Sequence, residues 1–307
     1  MAVVVVLLVA AALAGCSSDD GASDGTPPPK GQGSDTPVAE ADGTYLSIGD
    51  SYAQGYQPTV GGKVPDYRQG FAYLLPAGAK AKGYDLSVVN LGCGGATVGS
   101  LADRDGCDAD ARAPGSPRYD TSQLAAALTF LEDHPGKVQL LTVSIGGNDV
   151  TACAQASDAI GCVTKAVTHI DAGLKAMLPK LRKAAGPKTV IVGLTYPDVI
   201  LGGYLAEGGG GRSIAELSVT AFQQFINPML KRNYEGVDGI FVDVTAATGA
   251  YTPLTETTSL APYGTIPKAV AQVCDLTWFC QVQDIHPKPA GYRKIADLIV
   301  AALPNRS

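Results

Sequence analysis

The chain has 307 residues, of which 46% are hydrophobic, 7% aromatic and 17% charged, with 23 Lys and Arg against 29 Asp and Glu and a net charge of −6. So much apolar content with so little charge excludes a disordered protein, and the acidic balance excludes nucleic-acid binding through a basic surface. Three histidines leave little for a multi-histidine metal site, and 37 glycines without a G-X-Y period are not collagen.

The first 14 residues are an apolar run, too short for the roughly 20 residues that cross a bilayer and of the length of a secretion-signal core. The run closes on Leu13-Ala14-Gly15-Cys16, which resembles the lipobox of bacterial lipoproteins, whose Cys is acylated and becomes the new N-terminus. Residues 1–16 are therefore expected to be a lipoprotein signal, although no Lys or Arg precedes the apolar run. Residues 17–43 are rich in Ser, Asp, Gly, Thr and Pro and cannot bury a core, so they are expected to form a flexible tether. The tether holds six acids and one base, Lys30, so five of the chain's six net negative charges lie there and residues 44–307 are almost neutral.

Within residues 44–307, short apolar runs alternate with helical patterns. Residues 44–48 (TYLSI) read as a strand ending at Gly49-Asp50-Ser51, and residues 85–91 (DLSVVNL) as a second strand. Residues 123–132 read as a helix. Residues 137–145 (KVQLLTVSI) are almost continuously apolar, the mark of a strand covered on both faces. Residues 163–185 repeat apolar positions at helical spacing and stop before Gly186-Pro187. Residues 188–194 (KTVIVGL) are a fourth strand and residues 239–244 (GIFVDV) a fifth. Between them, residues 213–234 read as one helix, with Ser213 as N-cap and Glu216 three residues on, and residues 289–303 read as the last helix. This order predicts one three-layer α/β/α sandwich around a central parallel five-stranded sheet. Two long connections, residues 99–121 and 250–284, read as loops, and the four glycines at 208–211 as a mobile one.

Apart from Cys16, six cysteines remain, an even number that suggests disulfides in an exported chain. They cluster as three local pairs, Cys93–Cys107, Cys153–Cys162 and Cys274–Cys280, expected to pin loops.

In a parallel sheet, ligands sit beyond the carboxyl ends of the strands. There the sequence places Gly49-Asp50-Ser51, then Gly92-Cys93-Gly94-Gly95-Ala96-Thr97, then Gly146-Gly147-Asn148-Asp149, and finally Asp284-Ile285-His286-Pro287. A hydroxyl, a glycine backbone, an amide and an imidazole are the parts of an acyl-transfer site. Thr97 stands where a dinucleotide-binding G-x-G-x-x-G needs its last glycine, and the chain has no P-loop, so neither phosphate-binding loop is present. His134 beside Pro135 and His169 in a helix read as ordinary residues.

Taken in this order, the four blocks resemble those of the SGNH hydrolases, the GDSL esterase/lipase family. The resemblance runs from Thr44 to the last helix and implies a flavodoxin-like α/β hydrolase fold and a serine ester hydrolase needing no metal or cofactor. It implies Ser51 as nucleophile and His286 as base, with an oxyanion hole made by the backbone N–H of Ser51, the backbone N–H of Gly95 and the Asn148 amide. The family's usual last block is Asp-x-x-His, whereas Gln283 occupies the acid's place here and Asp284 lies only two residues before His286. Residues i and i+2 of an extended segment point the same way, so Asp284 can reach His286; the other reading is a backbone carbonyl near Gln283 and a Ser–His dyad. Gly-x-Ser-x-Gly, the elbow of the other large α/β hydrolase group, is absent.

The expected activity is hydrolysis of neutral acyl esters by a carboxylesterase or lipase. O-acetyl esterase action on cell-envelope polysaccharide and a non-catalytic binding lipoprotein are the alternatives. Trp278 and Phe279, near His286 in sequence, are candidates for an apolar wall against an acyl chain. The protein is expected to be exported, monomeric, held at a membrane through Cys16 and without a nucleic-acid partner.

Overall fold

The computed structural model describes residues 41–206 and 210–306. The signal at 1–16 with Cys16, and the tether up to residue 40, lie outside the described residues. By its contacts the chain divides between residues 39 and 40, and the second unit, Glu40–Ser307, carries the whole of the sheet and its helices.

Five parallel strands form the central sheet: β1 (Gly43–Gly49), β2 (Leu86–Asn90), β3 (Val138–Ser144), β4 (Val190–Leu194) and β5 (Ile240–Val242), in the spatial order β2-β1-β3-β4-β5. This is the flavodoxin-like order. The register pairs Gly49 with Ser144, so β1 and β3 end level, and Ser47 with Asn90, so β2 ends two residues short of them at the same edge. The helices are α1 (Ser51–Gln54), α2 (Phe71–Ala79), α3 (Val98–Asp103), α4 (Gln123–Asp133), α5 (Gly147–Thr151), α6 (Ala159–Ala185), α7 (Gly211–Ala221), α8 (Asn227–Glu235), α9 (Val244–Ala247), α10 (Lys268–Leu276), α11 (Phe279–Val282) and α12 (Pro289–Ala302). Alternation along the strands feeds two cores. Leu46, Ile48, Leu141 and Val143 pack under α3, α4, α6 and α8, while Tyr45, Leu140, Val192 and Leu194 pack under α2 and α12. Helices thus cover both faces, which is why apolar residues on the strands point both ways.

The expected strands and the helices at 123–132, 163–185 and 289–303 have counterparts within a few residues of their expected ends, except that α6 begins earlier, at Ala159, where the Asp158 carboxylate caps the Gly161 N–H at 2.9 Å. Strand β5 ends at Val242 rather than 244, because Asp243 turns the chain by accepting from the Ala246 N–H at 2.8 Å.

The helix expected over 213–234 forms and runs from Gly211 to Glu235, with a π-turn, Phe222–Ile226, between its α-helical parts α7 and α8. Pro228 explains the widening, since a proline ring collides with the carbonyl four residues back and offers no N–H to the ladder. Other expectations need correction. Ser213 is not a cap but an exposed residue inside α7, and Glu216 pairs instead with Arg212 at 2.9 Å. The glycine run at 208–211 lies partly outside the described residues, and Gly211 opens α7, buried against the Gly203 carbonyl. Of the two long connections, the first is a loop beyond Asp103 as expected, and the second is largely structured. Residues 99–121 include most of α3, and residues 250–284 fold into the hairpin β6 (Thr257–Leu260)–β7 (Gly264–Pro267) followed by α10 and α11. Ala269, Val270, Val273 and Cys274 recur at helical spacing and are buried, and that burial holds α10 in place.

Candidate active site

The nucleophile candidate stands where β1 ends. Gly49 has φ +143°, and a Cβ there would collide with the Ser144 carbonyl of β3, so only glycine lets the strands approach this closely before the turn. The Gln123 side chain grips this point from both sides: its Oε1 accepts from Gly49 N at 2.6 Å and its Nε2 donates to Gly49 O at 3.0 Å. Asp50 then caps α1, accepting from the Tyr52 N–H at 3.0 Å, and Ser51 is the first helical residue. Ser51 is 8% exposed.

The structure brings His286 to Ser51 and Asp284 to His286. Ser51 Oγ lies 2.7 Å from His286 Nε2, and His286 Nδ1 lies 2.8 Å from Asp284 Oδ1. With neutral imidazole, Nδ1–H donates to the carboxylate and Nε2 accepts from the serine hydroxyl. Nδ1 therefore meets the Asp284 carboxylate and not a carbonyl near Gln283. Gln283 adopts φ +55° at the end of α11, and that left-handed residue turns the chain so that Asp284, two residues before the histidine, still reaches it. The same carboxylate oxygen accepts from the His286 N–H at 2.9 Å. Tyr52 Oη donates to the Ile285 carbonyl at 2.7 Å, tying the histidine loop to the turn that carries Ser51.

The glycine loop and the amide meet through another bond. Asn148, in the first turn of α5, donates from Nδ2 to the Ala96 carbonyl at 2.8 Å, beside Gly95. Gly95 is exposed with φ +76°, and open space surrounds the position a Cβ would take, so glycine is needed there for its conformation rather than for room. Among the described residues, the backbone N–H groups of Ser51 and Gly95 donate to no protein acceptor, so both are available to a bound oxygen. Asp149 Oδ2 accepts from the Val98 N–H at 3.0 Å and so joins the start of α3 to α5.

Three disulfides, Cys93–Cys107, Cys153–Cys162 and Cys274–Cys280, form with Cα–Cα distances of 5.9, 5.5 and 5.1 Å. Each holds a segment beside a block of the site: the Gly95 loop, the turn after α5, and the α10–α11 corner that precedes Asp284.

Two acids flank the hydroxyl and are pushed in opposite directions. Burial raises the Asp50 carboxyl to about 7, against the pull of hydrogen bonds from Tyr196 Oη, 2.6 Å away, and the Tyr52 N–H. Burial also acts to raise Asp284, but the His286 ring and N–H outweigh it, and this carboxyl lies below its usual value. Asp284 is thus charged at neutral pH and fit to orient an imidazolium, whereas burial pushes Asp50 towards its neutral form and it works as a cap.

An apolar cavity opens at Ser51 and Asn148 and runs between α5, α6, the 3-10 segment Val199–Leu205, the π-turn and α8. Trp278 and Phe279 do not line it, contrary to expectation. The Phe279 ring packs on Gly202, where any Cβ would strike it, and Trp278 lies under Lys288 Nζ at 5.6 Å. His134 stacks on Phe130 with ring centroids 4.2 Å apart, and His169 lines a separate open hollow with Asp149 and Lys165. Among the described residues, no cluster of three or more His, Cys, Asp and Glu is arranged to hold a metal, and no helix is long and apolar enough to cross a membrane.

Sequence reasoning missed Gln123, Tyr52 and Tyr196, which act through partners far away in the chain. A serine, an imidazole and a carboxylate in hydrogen-bonded sequence at the strand ends of a doubly covered parallel sheet define a hydrolase-type site. The model of the GDSL-like lipase/acylhydrolase family matches residues 47–294, and the chain belongs to that family. No curated protein matches the sequence. Similar solved structures include an extracellular lipase from Streptomyces rimosus, 19% identical with a TM-score of 0.48, the match covering 85% of this chain and 100% of that one. An acetylxylan esterase from Geobacillus stearothermophilus is 16% identical at a TM-score of 0.48, covering 85% and 93%. An aryl esterase of M. smegmatis is 15% identical at 0.45, covering 85% and 100%.

Proposed function

We propose that this member of the family is an exported carboxylesterase or lipase that cleaves neutral acyl esters through an acyl-enzyme on Ser51. The observation that carries the reading is the chain of hydrogen bonds from Ser51 Oγ through His286 to Asp284, at 2.7 and 2.8 Å. His286 Nε2 takes the hydroxyl proton as Oγ attacks the ester carbonyl carbon. The carbonyl oxygen becomes an oxyanion held by the N–H groups of Ser51 and Gly95 and by the Asn148 amide. Collapse expels the alkoxide, which takes the proton from His286, and leaves the acyl group on Ser51. Water, deprotonated by His286, then releases the carboxylic acid and restores Ser51. Asp284 holds the ring and stabilises its charged form throughout.

Export fits the three disulfides, which persist in oxidising compartments. Acylation at Cys16, and with it a membrane anchor, belongs to the same proposal and rests on Leu13-Ala14-Gly15-Cys16 alone. The near-neutral charge of residues 44–307 favours uncharged esters.

The test is hydrolysis of p-nitrophenyl esters from acetate to palmitate by residues 41–307, beside Ser51→Ala. Turnover in the wild type with kcat lower by about 10⁶ in the variant is the expected result. Equal rates in both proteins contradict the assignment, and a wild type inert on every ester points to the non-catalytic alternative.

A further inference from the structure

We propose that the cavity beside Ser51 is an acyl-chain site whose depth is set by Phe222 and Ile226 of the π-turn, while the alcohol half of the ester stays outside it. The enzyme then selects substrates by their acyl group and accepts varied alcohols. This deepens the serine-hydrolase reading and rests on it.

The wall suits hydrocarbon and little else. Val150, Ile170, Val199, Phe222, Ile226 and Leu230 are among its apolar side chains. Its polar members are largely committed elsewhere. Tyr196 Oη is bonded to Asp50 at 2.6 Å and Tyr52 Oη to the Ile285 carbonyl at 2.7 Å, so both rings present carbon to the cavity. Those rings pack edge to face at 4.8 Å, which fixes them in place. Besides Ser51 Oγ, Thr151, part-exposed at the end of α5, brings one further hydroxyl to the lining. A sugar ring would lose its hydrogen bonds to water here and gain few in return.

The direction of the ester follows from the base. The leaving oxygen must lie within reach of His286 Nε2 to receive its proton. His286 is not part of the cavity wall, and neither is half-buried Tyr56, against which its ring packs at 4.5 Å. With the alkoxy oxygen held at His286, outside the cavity, the acyl substituent on the same carbonyl carbon is left facing the cavity.

The π-turn sets the depth. The ring of Pro228 forces the extra residue between α7 and α8. Phe222 and Ile226, four residues apart, both face inward at 8% and 5% exposure, whereas Phe225 between them is 57% exposed. Both side chains line the cavity together with Val150 and Thr151 of α5, so their bulk limits the chain it accepts.

Each methylene moved from water into such a cavity is worth about fourfold in binding. For p-nitrophenyl esters we expect kcat/KM to rise from acetate to hexanoate and to fall by palmitate. Phe222→Ala should move the maximum to longer chains. Ile226→Trp should cut hexanoate turnover by about tenfold or more while leaving acetate within about threefold, and ethyl, benzyl and glyceryl hexanoate should differ by less than about tenfold. Far-ultraviolet circular dichroism and thermal melting show that both variants are folded. Calorimetric titration of Ser51→Ala with p-nitrophenyl hexanoate and acetate reads the site without turnover. Hexanoate should bind tighter, and Ile226→Trp in that background should remove the difference. A maximum at acetate, a loss in Ile226→Trp that is equal at every chain length, or equal binding of the two esters overturns the acyl site. Catalysis that survives Ser51→Ala while chain-length selectivity in binding persists overturns the serine reading and leaves the acyl site standing.

Discussion

The two halves of the site are held in place by different means. The Ser51 half stands on the ends of neighbouring parallel strands. Gly49 is gripped twice by Gln123, and the loop after β2 returns to the sheet through the Cys93 N–H to the Gly49 carbonyl at 3.0 Å. The His286 half arrives at the end of a long connection away from the sheet. It is fixed by the Cys274–Cys280 bridge, by the Trp278 N–H on the His286 carbonyl at 3.0 Å, and by Tyr52 Oη on the Ile285 carbonyl. A sheet edge places backbone groups as part of its own hydrogen bonding. A connection of this kind needs cross-links, and each cross-link can be cut separately. The nucleophile half should therefore fail through its chemistry and the histidine half through its positioning.

The largest effect that sharpens this contrast lies in the orienting acid. Asp284→Ala should lower kcat for p-nitrophenyl esters by about 10⁴ with the fold intact, because the imidazole loses its tautomer and its counter-charge. A drop of only a few fold would make the pair a dyad. On the other half, Asn148→Ala should cost about 10²–10³ in kcat with KM little changed, and an unchanged rate would remove the amide from the oxyanion hole. Tyr52→Phe cuts one hydrogen bond of the histidine loop. It should cost about 1 kcal/mol in urea denaturation and lower kcat by up to about 10² through misplacement of His286. If stability falls and kcat does not, the loop is held without Tyr52.

The smallest effect distinguishes the two acids. The Asp50 carboxyl is raised from 3.8 to about 7, so the native state keeps a proton that the unfolded chain has released. This group therefore makes stability fall as pH rises from about 4 to about 7, after which its contribution is constant. Asp284 has the opposite sign: its lowered carboxyl adds stability at neutral pH that is lost on acidification. Asp50→Asn should flatten the fall between pH 4 and 7 in urea midpoints, whatever constant offset the amide brings. Curves parallel to the wild type would place the Asp50 carboxyl near its ordinary value.

Much of the fold and site is legible in the sequence. The strands are readable because a sheet covered on both faces needs apolar runs. The blocks holding Ser51, Gly95, Asn148 and His286 stand out because each comes after a strand or ends the last long connection. The histidine's partner stays open between Asp284 and a carbonyl, since it depends on the left-handed turn at Gln283. Gln123, Tyr52 and Tyr196 give no local signal: their partners lie 74, 233 and 146 residues away. The π-turn is foreshadowed by Pro228, which a reading by apolar periodicity alone passes over. Helix α10 hides inside a connection whose length suggests a loop, and Trp278 and Phe279 are near His286 in sequence but do not face the cavity in space.

The most direct test of the central claim is to treat the protein with an alkyl fluorophosphonate and locate the adduct by peptide mass spectrometry. A single adduct on Ser51, formed at a rate that collapses in His286→Ala, is the predicted result. Labelling on another residue, or labelling of Ser51 at the same rate without His286, would contradict it.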